Sequence, residues 1–251
     1  MEFSAELLFV FFLIAMVAGC IDAIAGGGGL ITLPALLALG IPPAAAIATN
    51  KLGAAAGSFS SALYFVRIRE VRLGQIWPMM LTTFVGSLVG ALVLTQIDNS
   101  ILKSVIPGLL IAFSVYFLLS PKLGEADKKQ LLPRRYYLLL VAPAIGFYDG
   151  FFGPGTGAFL SISFVLLLGY NMVKATAHAK VLNFCSNFAA LLFFILHGGI
   201  LWSIGLVMLA GQLLGGNLGA RMAVRSGHKL IRIVMISVSL SISVKILFFD
   251  A

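Results

Sequence analysis

Apolar stretches of about 20 residues recur from one end of this chain to the other, and that recurrence decides its solvent. At a rise of about 1.5 Å per residue, a helix of that length crosses a hydrocarbon core of roughly 30 Å. Only 10% of the residues are charged and 60% are hydrophobic, against roughly 25% charged in a soluble domain. The surroundings are therefore lipid, and the expected fold is all-α: a polytopic membrane protein with no soluble domain left over.

Hydropathy places helices near 3–25, 44–66, 73–96, 100–119, 136–150, 173–196, 200–222 and 229–249. The first could pass for a secretory signal, but Glu2 and Glu6 replace the basic start and no small-residue cleavage site follows, so it reads as the first span. Two further apolar stretches, 30–41 and 157–169, are too short to cross comfortably, and each follows a glycine-rich break. They read as half-helices or re-entrant segments. Cys20 and Cys185, both in apolar segments, offer neither a disulfide framework nor a metal-ligand cluster, so no metal or cofactor is expected. The 27 glycines, with Gly86-x-x-x-Gly90 and Gly211-x-x-x-Gly215-x-x-x-Gly219, suit the close helix packing that lipid demands.

The polar stretch 121–135 separates two halves, 1–120 and 136–251, and the halves repeat. Gly19-x-x-Asp22 matches Gly146-x-x-Asp149, Gly26 matches Gly153 and Gly28 matches Gly155, all 127 residues apart. After a two-residue slip, Ala46-x-Ala48-Thr49-Asn50-Lys51 faces Ala175-x-Ala177-His178-Ala179-Lys180, and Gly86-x-x-x-Gly90 faces Gly211-x-x-x-Gly215. The two acidic residues deepest in the apolar segments before the breaks, Asp22 and Asp149, are repeat-mates, and so are the two deepest lysines, Lys51 and Lys180. Composition alone does not keep Asp and Lys in register.

The net charge of +8 is distributed over short loops rather than on one soluble face, which argues against nucleic acid and for topology. Arg67, Arg69 and Arg72, five basic residues of the central stretch, and Arg221, Arg225, Lys229 and Arg232 mark cytoplasmic connections. The connections near 97–100 and 197–200 carry no Lys or Arg and are expected outside, with the termini. The loop after 44–66 then lies inside and its repeat-mate outside, so the halves are expected to be inverted.

In inverted-repeat transporters, broken helices meet near the midplane and point half-helix N-termini at an anionic substrate. Here the breaks are expected at Gly26-Gly27-Gly28-Gly29 and Gly153-Pro154-Gly155-Thr156-Gly157, since four glycines cost a helix roughly 1 kcal/mol each and Pro154 lacks a donor. A tight turn between packed segments is the plainer reading of either break; their symmetry favours a shared pathway. The candidate binding residues are Lys51, Lys180, Gly27, Gly28, Gly29, Gly155, Thr156, Gly157, Thr49, Asn50 and His178. The lysines could equally form structural ion pairs with Asp22 and Asp149, and a bound anion could compete with aspartate for lysine. Asp22 and Asp149 could accept a coupling proton or tether the breaks. His178 could relay a proton or simply pack. Asn183, Asn187, Ser58 and Ser186 read as hydrogen-bonding glue between helices.

D-A-I-A-G-G-G-G-L-I-T-L-P at 22–34, A-T-N-K at 48–51, G-F-Y-D-G-F-F-G-P-G-T-G at 146–157 and K-A-T-A-H-A-K at 174–180 together resemble the sulfite exporter TauE/SafE family over essentially the whole chain. The resemblance implies a secondary transporter in the cell membrane for sulfite or small organosulfur anions such as sulfonates, with homo-oligomerisation left open. A passive anion channel is the nearer alternative. An intramembrane aspartyl protease is the remote one: Tyr148-Asp149 fits, but the Gly-x-Gly-Asp motif is absent. No Gly-x-Ser-x-Gly or Gly-x4-Gly-Lys-Ser/Thr motif suggests hydrolase or ATPase chemistry.

Overall fold

The computed structural model describes residues 3–102, 108 and 129–249, with side chains as far as Ser226. The span expected at 100–119 and most of the stretch 121–135 lie outside the described residues. All the described secondary structure is helical: α1 (Ala5–Ala25), α2 (Gly29–Ala38), α3 (Pro43–Arg67), α4 (Leu73–Thr95), α5 (Ala142–Phe151), α6 (Thr156–Leu168), α7 (Met172–His197) and α8 (Trp202–Phe249). A short helical turn, Arg134–Tyr136, and a π-helical turn, Tyr137–Val141, lead into α5.

Local chemistry sets the ends. The side chains of Ser4 and Asn171 accept the N–H groups of Leu7 and Lys174 at the starts of α1 and α7, which satisfies donors that a helix leaves orphaned. Pro43 opens α3, where its missing N–H costs nothing. α1 ends where Gly26 turns left-handed at φ 81°, a conformation that glycine reaches without strain. The helices expected at 200–222 and 229–249 are instead one, α8, because residues 223–228 hold no proline and a single glycine, Gly227, and so nothing there stops a helix.

Among the described residues, four helical segments are long and apolar enough to cross a bilayer: α1, α4, α7 and Trp202–Ser226 of α8. α3 matches them in length but carries Asn50, Lys51 and three serines. α4 shows how one helix serves two solvents. Leu81, Val85, Val89 and Leu92 are exposed on the lipid side, while Thr83, Gly86, Ser87 and Gly90 are buried on the other.

The halves are interlocked rather than side by side. α1 of the first half packs on α8 of the second, and α5 of the second packs on α4 of the first. A Cβ on Gly86 or Gly90 would collide with the carbonyls of Pro143 or Phe147, and one on Gly215 or Gly219 with those of Met16 or Cys20. Met16 matches Pro143, and Cys20 matches Phe147, at the 127-residue separation of the repeat. Gly86 therefore corresponds to Gly215, and Gly90 to Gly219, one helical turn beyond the match that the sequence suggests. A run of three spaced glycines offers two registers, and only the approach of backbones selects between them.

Contacting residues advance together along α1 and α8 and along α4 and α5. Between the repeat-mates α3 and α7 they run in opposite senses: Lys51 reaches Asn187, whereas the Phe59 ring lies 5.3 Å from that of Phe184. Two apolar clusters close the ends of the bundle. One gathers Phe65, Val71, Tyr137, Met172 and Ala223, and the exposed Arg67, Arg69, Arg72, Arg134 and Arg135 adjoin it in sequence. The other gathers Phe11, Ile41, Leu94, Phe194 and Ile204.

The glycine contacts give a direct check. Gly215→Leu is expected to abolish the monodisperse gel-filtration peak of detergent-solubilised protein, since no rotamer avoids the Met16 backbone. Gly74→Leu, where an added Cβ meets nothing within 4 Å, should elute as wild type.

Candidate functional site

Lysine and aspartate are the side chains a membrane interior tolerates least without partners, and their positions define the site. Lys51 is fully buried on the third turn of α3, and Asp149, 1% exposed, lies near the end of α5. Lys51 Nζ is 2.9 Å from Asp149 Oδ1. The same ammonium donates to the Asp149 carbonyl oxygen and, at 3.2 Å, to Asn187 Oδ1. Lys180, equally buried on α7, places its Nζ 2.8 Å from Asp22 Oδ2 near the end of α1. Each lysine thus takes the aspartate of the opposite half.

The glycine breaks make these pairs possible. α1 stops at Ala25 and α2 begins at Gly29; α5 stops at Phe151 and α6 begins at Thr156. The two breaks touch: a Cβ at Gly26 would collide with Gly157, and one at Gly29 would lie 3.1 Å from Pro154 Cα. The bare glycines also leave room for the ammonium groups. A Cβ at Gly153 would sit 2.7 Å from Lys51 Nζ, and one at Gly157 at 2.7 Å from Lys180 Nζ. Any larger residue at either position would compete with a lysine for that space.

Beside the crossed breaks lies a cavity of about 20 Å³, room for about one water. Lys51, Asn50, Asn183, Asn187 and Gln212 border it with groups able to donate hydrogen bonds, and Asp22 borders it with a carboxylate. Gly29 of α2 and Gly155, Thr156 and Gly157 around the start of α6 also border it. Gly29 opens α2 and Gly157 lies in the first turn of α6, so both half-helices bring a positive dipole end near one small volume. Such an arrangement complements negative charge, in a space that as it stands admits about one water-sized group.

Other residues singled out in the sequence fall elsewhere. The Gly27 carbonyl accepts the Leu30 N–H, and the Gly28 N–H donates to Asp22 Oδ1 at 3.2 Å, so these two glycines shape the break without lining the cavity. Thr49 Oγ1 accepts the Leu201 N–H at 3.0 Å and fixes the start of α8. His178 lies apart from the cavity. Its Nδ1 is 2.8 Å from the Lys174 carbonyl oxygen, and its ring lies 5.6 Å from Phe164 and 5.0 Å from Tyr170, outside the cavity. The i−4 carbonyl and the aromatic neighbours hold it as a packing residue.

Asn183 and Asn187, read from sequence as glue, are that and more. Asn187 Nδ2 donates to the Asn183 carbonyl at 2.8 Å, yet both amides border the cavity. Gln212 carried no expectation. Its signal was a lone glutamine among apolar residues and glycines, A-G-Q-L-L-G, in a helix where polar side chains cost free energy. Among the described residues there is no cluster of His, Cys, Asp or Glu able to hold a metal ion.

A family model described as sulfite exporter TauE/SafE matches residues 11–246. A "Probable membrane transporter protein" of Haemophilus influenzae is 50% identical over 248 residues, 99% of this chain and 97% of its own. The "Probable membrane transporter protein YfcA" of Escherichia coli K12 is 48% identical over 245 residues, covering 98% of this chain and 91% of that protein. The "Probable membrane transporter protein YunE" of Bacillus subtilis is 25% identical over 253 residues, 89% of this chain and 92% of its own. No solved structure matches this chain.

The crossed pairs predict a characteristic mutant pattern. Lys51→Met strands the buried Asp149 charge and is expected to cost about 3–5 kcal/mol, whereas removing both charges recovers much of that loss. Thermal unfolding of Lys51→Met, Asp149→Asn and the double variant, compared as a double-mutant cycle, checks this; strict additivity would contradict the pair.

Proposed function

The chain belongs to the sulfite exporter TauE/SafE family, and from that membership we propose that it is a secondary transporter of a small anion, sulfite or an organosulfonate, working by alternating access. One observation carries the reading: two half-helix N-termini, one from each half, border the same small cavity as the Lys51 ammonium and four amide side chains. Oxyanions suit donors of this kind, which offer positive potential from several directions without a metal.

The size of the cavity supports a carrier over a passive channel. Room for about one water is too little for a sulfite or a sulfonate, so cargo requires the halves to move apart. A channel needs an opening that persists. The interlocked packing supports that motion being one of half against half. The opposite senses of α3 and α7 support an inverted repeat, with the arginine-rich end in the cytoplasm. The protease alternative finds no support, because Asp22 and Asp149 each bond a lysine, whereas an aspartyl dyad must share a proton between carboxylates.

Counterflow of radiolabelled sulfite in proteoliposomes, with sulfate, taurine and sulfoacetate as competitors and empty liposomes as control, tests the transport reading. Saturable exchange, suppressed by at least one organosulfur competitor, is the expected result; a flux that grows without saturation would favour a channel. Topology is checked separately in a background lacking Cys20 and Cys185. A cysteine at Glu70, beside Arg69, should react with impermeant maleimide only from the cytoplasm, and one at His197, beside Gly198, only from outside. Labelling of both from one side would contradict the inverted arrangement.

A further inference from the structure

The four charges of the site sum to zero, since Lys51 and Lys180 are matched by Asp149 and Asp22, and all but the partly exposed Asp22 are buried. Adding a monoanion to this desolvated set would leave one uncompensated negative charge, which a low-dielectric site strongly disfavours. A proton taken up with the anion would keep the sum at zero. The two aspartates differ in their readiness to take it.

Asp22 uses both carboxylate oxygens: Oδ1 accepts the Gly28 N–H at 3.2 Å and Oδ2 accepts Lys180 at 2.8 Å. Asp149 concentrates its donors on one oxygen. Oδ1 accepts Lys51 at 2.9 Å and lies 2.9 Å from the Thr156 hydroxyl, whose single proton also has the Gly153 carbonyl within 2.6 Å, while Oδ2 is buried with no hydrogen-bond partner. The difference arises in the second break, where the Thr156 hydroxyl stands beside the carboxylate in place of a backbone N–H. A buried carboxylate oxygen without a donor is costly as an anion, and the cost falls when that oxygen carries the proton.

From this geometry we infer that Asp149 is the proton-carrying residue of the transporter and that each monoanion moves with one proton, an inference that rests on the transport reading above. The proton adds to Asp149 Oδ2, the carboxyl becomes neutral, and the Lys51 ammonium is freed to hold the anion at the cavity wall. Release of the anion returns Lys51 to Asp149, and the proton leaves Oδ2. No other titratable group competes closely. α4 and α6 contain none; on α7, Lys180 is held by Asp22 and His178 by the Lys174 carbonyl, and Cys185 bears no charge as a thiol. Tyr148, next to Asp149 on α5, donates its hydroxyl to the Pro154 carbonyl, and Lys51 of α3 is the described cation that bonds Asp149.

Infrared spectroscopy of the protein in liposomes tests the proton site without any substrate. As the pH is lowered stepwise, wild type is expected to gain a neutral-carboxyl C=O band that is lost in Asp149→Asn and persists in Asp22→Asn. Should Asp149→Asn fold poorly, Lys51→Met/Asp149→Asn removes both charges and should lose the same band. A band that survives both Asp149 variants, or one lost in Asp22→Asn instead, overturns the assignment. The coupling is read from wild-type uptake of radiolabelled sulfite, where an inward proton gradient of one pH unit should drive about tenfold accumulation of the monoanion, and a potassium–valinomycin potential should change it little. Accumulation that follows the potential and ignores the pH gradient overturns the coupling. If sulfite shows no counterflow at all, the transport reading loses its substrate while the infrared result still decides Asp149.

Discussion

A lysine ammonium inside a bilayer needs a counter-charge within hydrogen-bond reach, and in this protein both buried lysines find theirs in the opposite half. Much of the architecture follows from that requirement. Pairs exchanged between halves tie the end of α1 to α7 and the end of α5 to α3. The same exchange recurs in packing, where α1 lies on α8 and α5 on α4. Lipid supplies no hydrophobic drive for these contacts, so they depend on backbones approaching closely through Gly86, Gly90, Gly215 and Gly219.

The broken helices answer the same constraint. Gly153 of the second break and Gly157 in the first turn of α6 stand where any Cβ would press against a lysine Nζ, and Gly26 of the first break stands where a Cβ would collide with Gly157. The breaks also turn two N-termini inward beside the cavity. One local feature thus provides both the volume for buried charge and the dipoles that complement an anion. Exposed backbone of this kind is tolerated at such depth because it is enclosed by protein.

Much of this was legible in the sequence, and what was not has definite physical causes. The breaks, the half-helices and the matched Asp and Lys residues could be read because glycine runs and buried charges stand out against apolar chain. Which aspartate meets which lysine could not, since Lys51 is separated by short stretches of chain from Asp22 and reaches Asp149 only through tertiary packing. The glycine register was ambiguous by one turn because a helical repeat of four residues looks the same when shifted by four. His178 drew attention by its titration range, but Phe164, Tyr170 and the Lys174 carbonyl decide its role, and none of them is marked in the sequence as its partner. Gln212 escaped notice because its counterpart at the same repeat offset, Thr83, is not an amide; a comparison of halves finds shared residues and passes over those that differ.

Those differences carry a consequence of their own. Two identical inverted halves would make the inward-facing and outward-facing states mirror each other and leave them equal in free energy, apart from the effects of the membrane itself. Here the second break holds one more residue than the first, the Thr156 hydroxyl stands beside Asp149 where a backbone N–H binds Asp22, and asparagines at 183 and 187 stand opposite Ala54 and Ser58. The amides therefore gather on α7, and the cavity lies against Lys51 rather than Lys180. In a carrier of the proposed kind, this imbalance of a few hydrogen bonds, each worth about 1 kcal/mol, is enough to favour one resting state over the other by roughly tenfold or more. In such a carrier symmetry would supply the two states, and the departures from symmetry would choose between them.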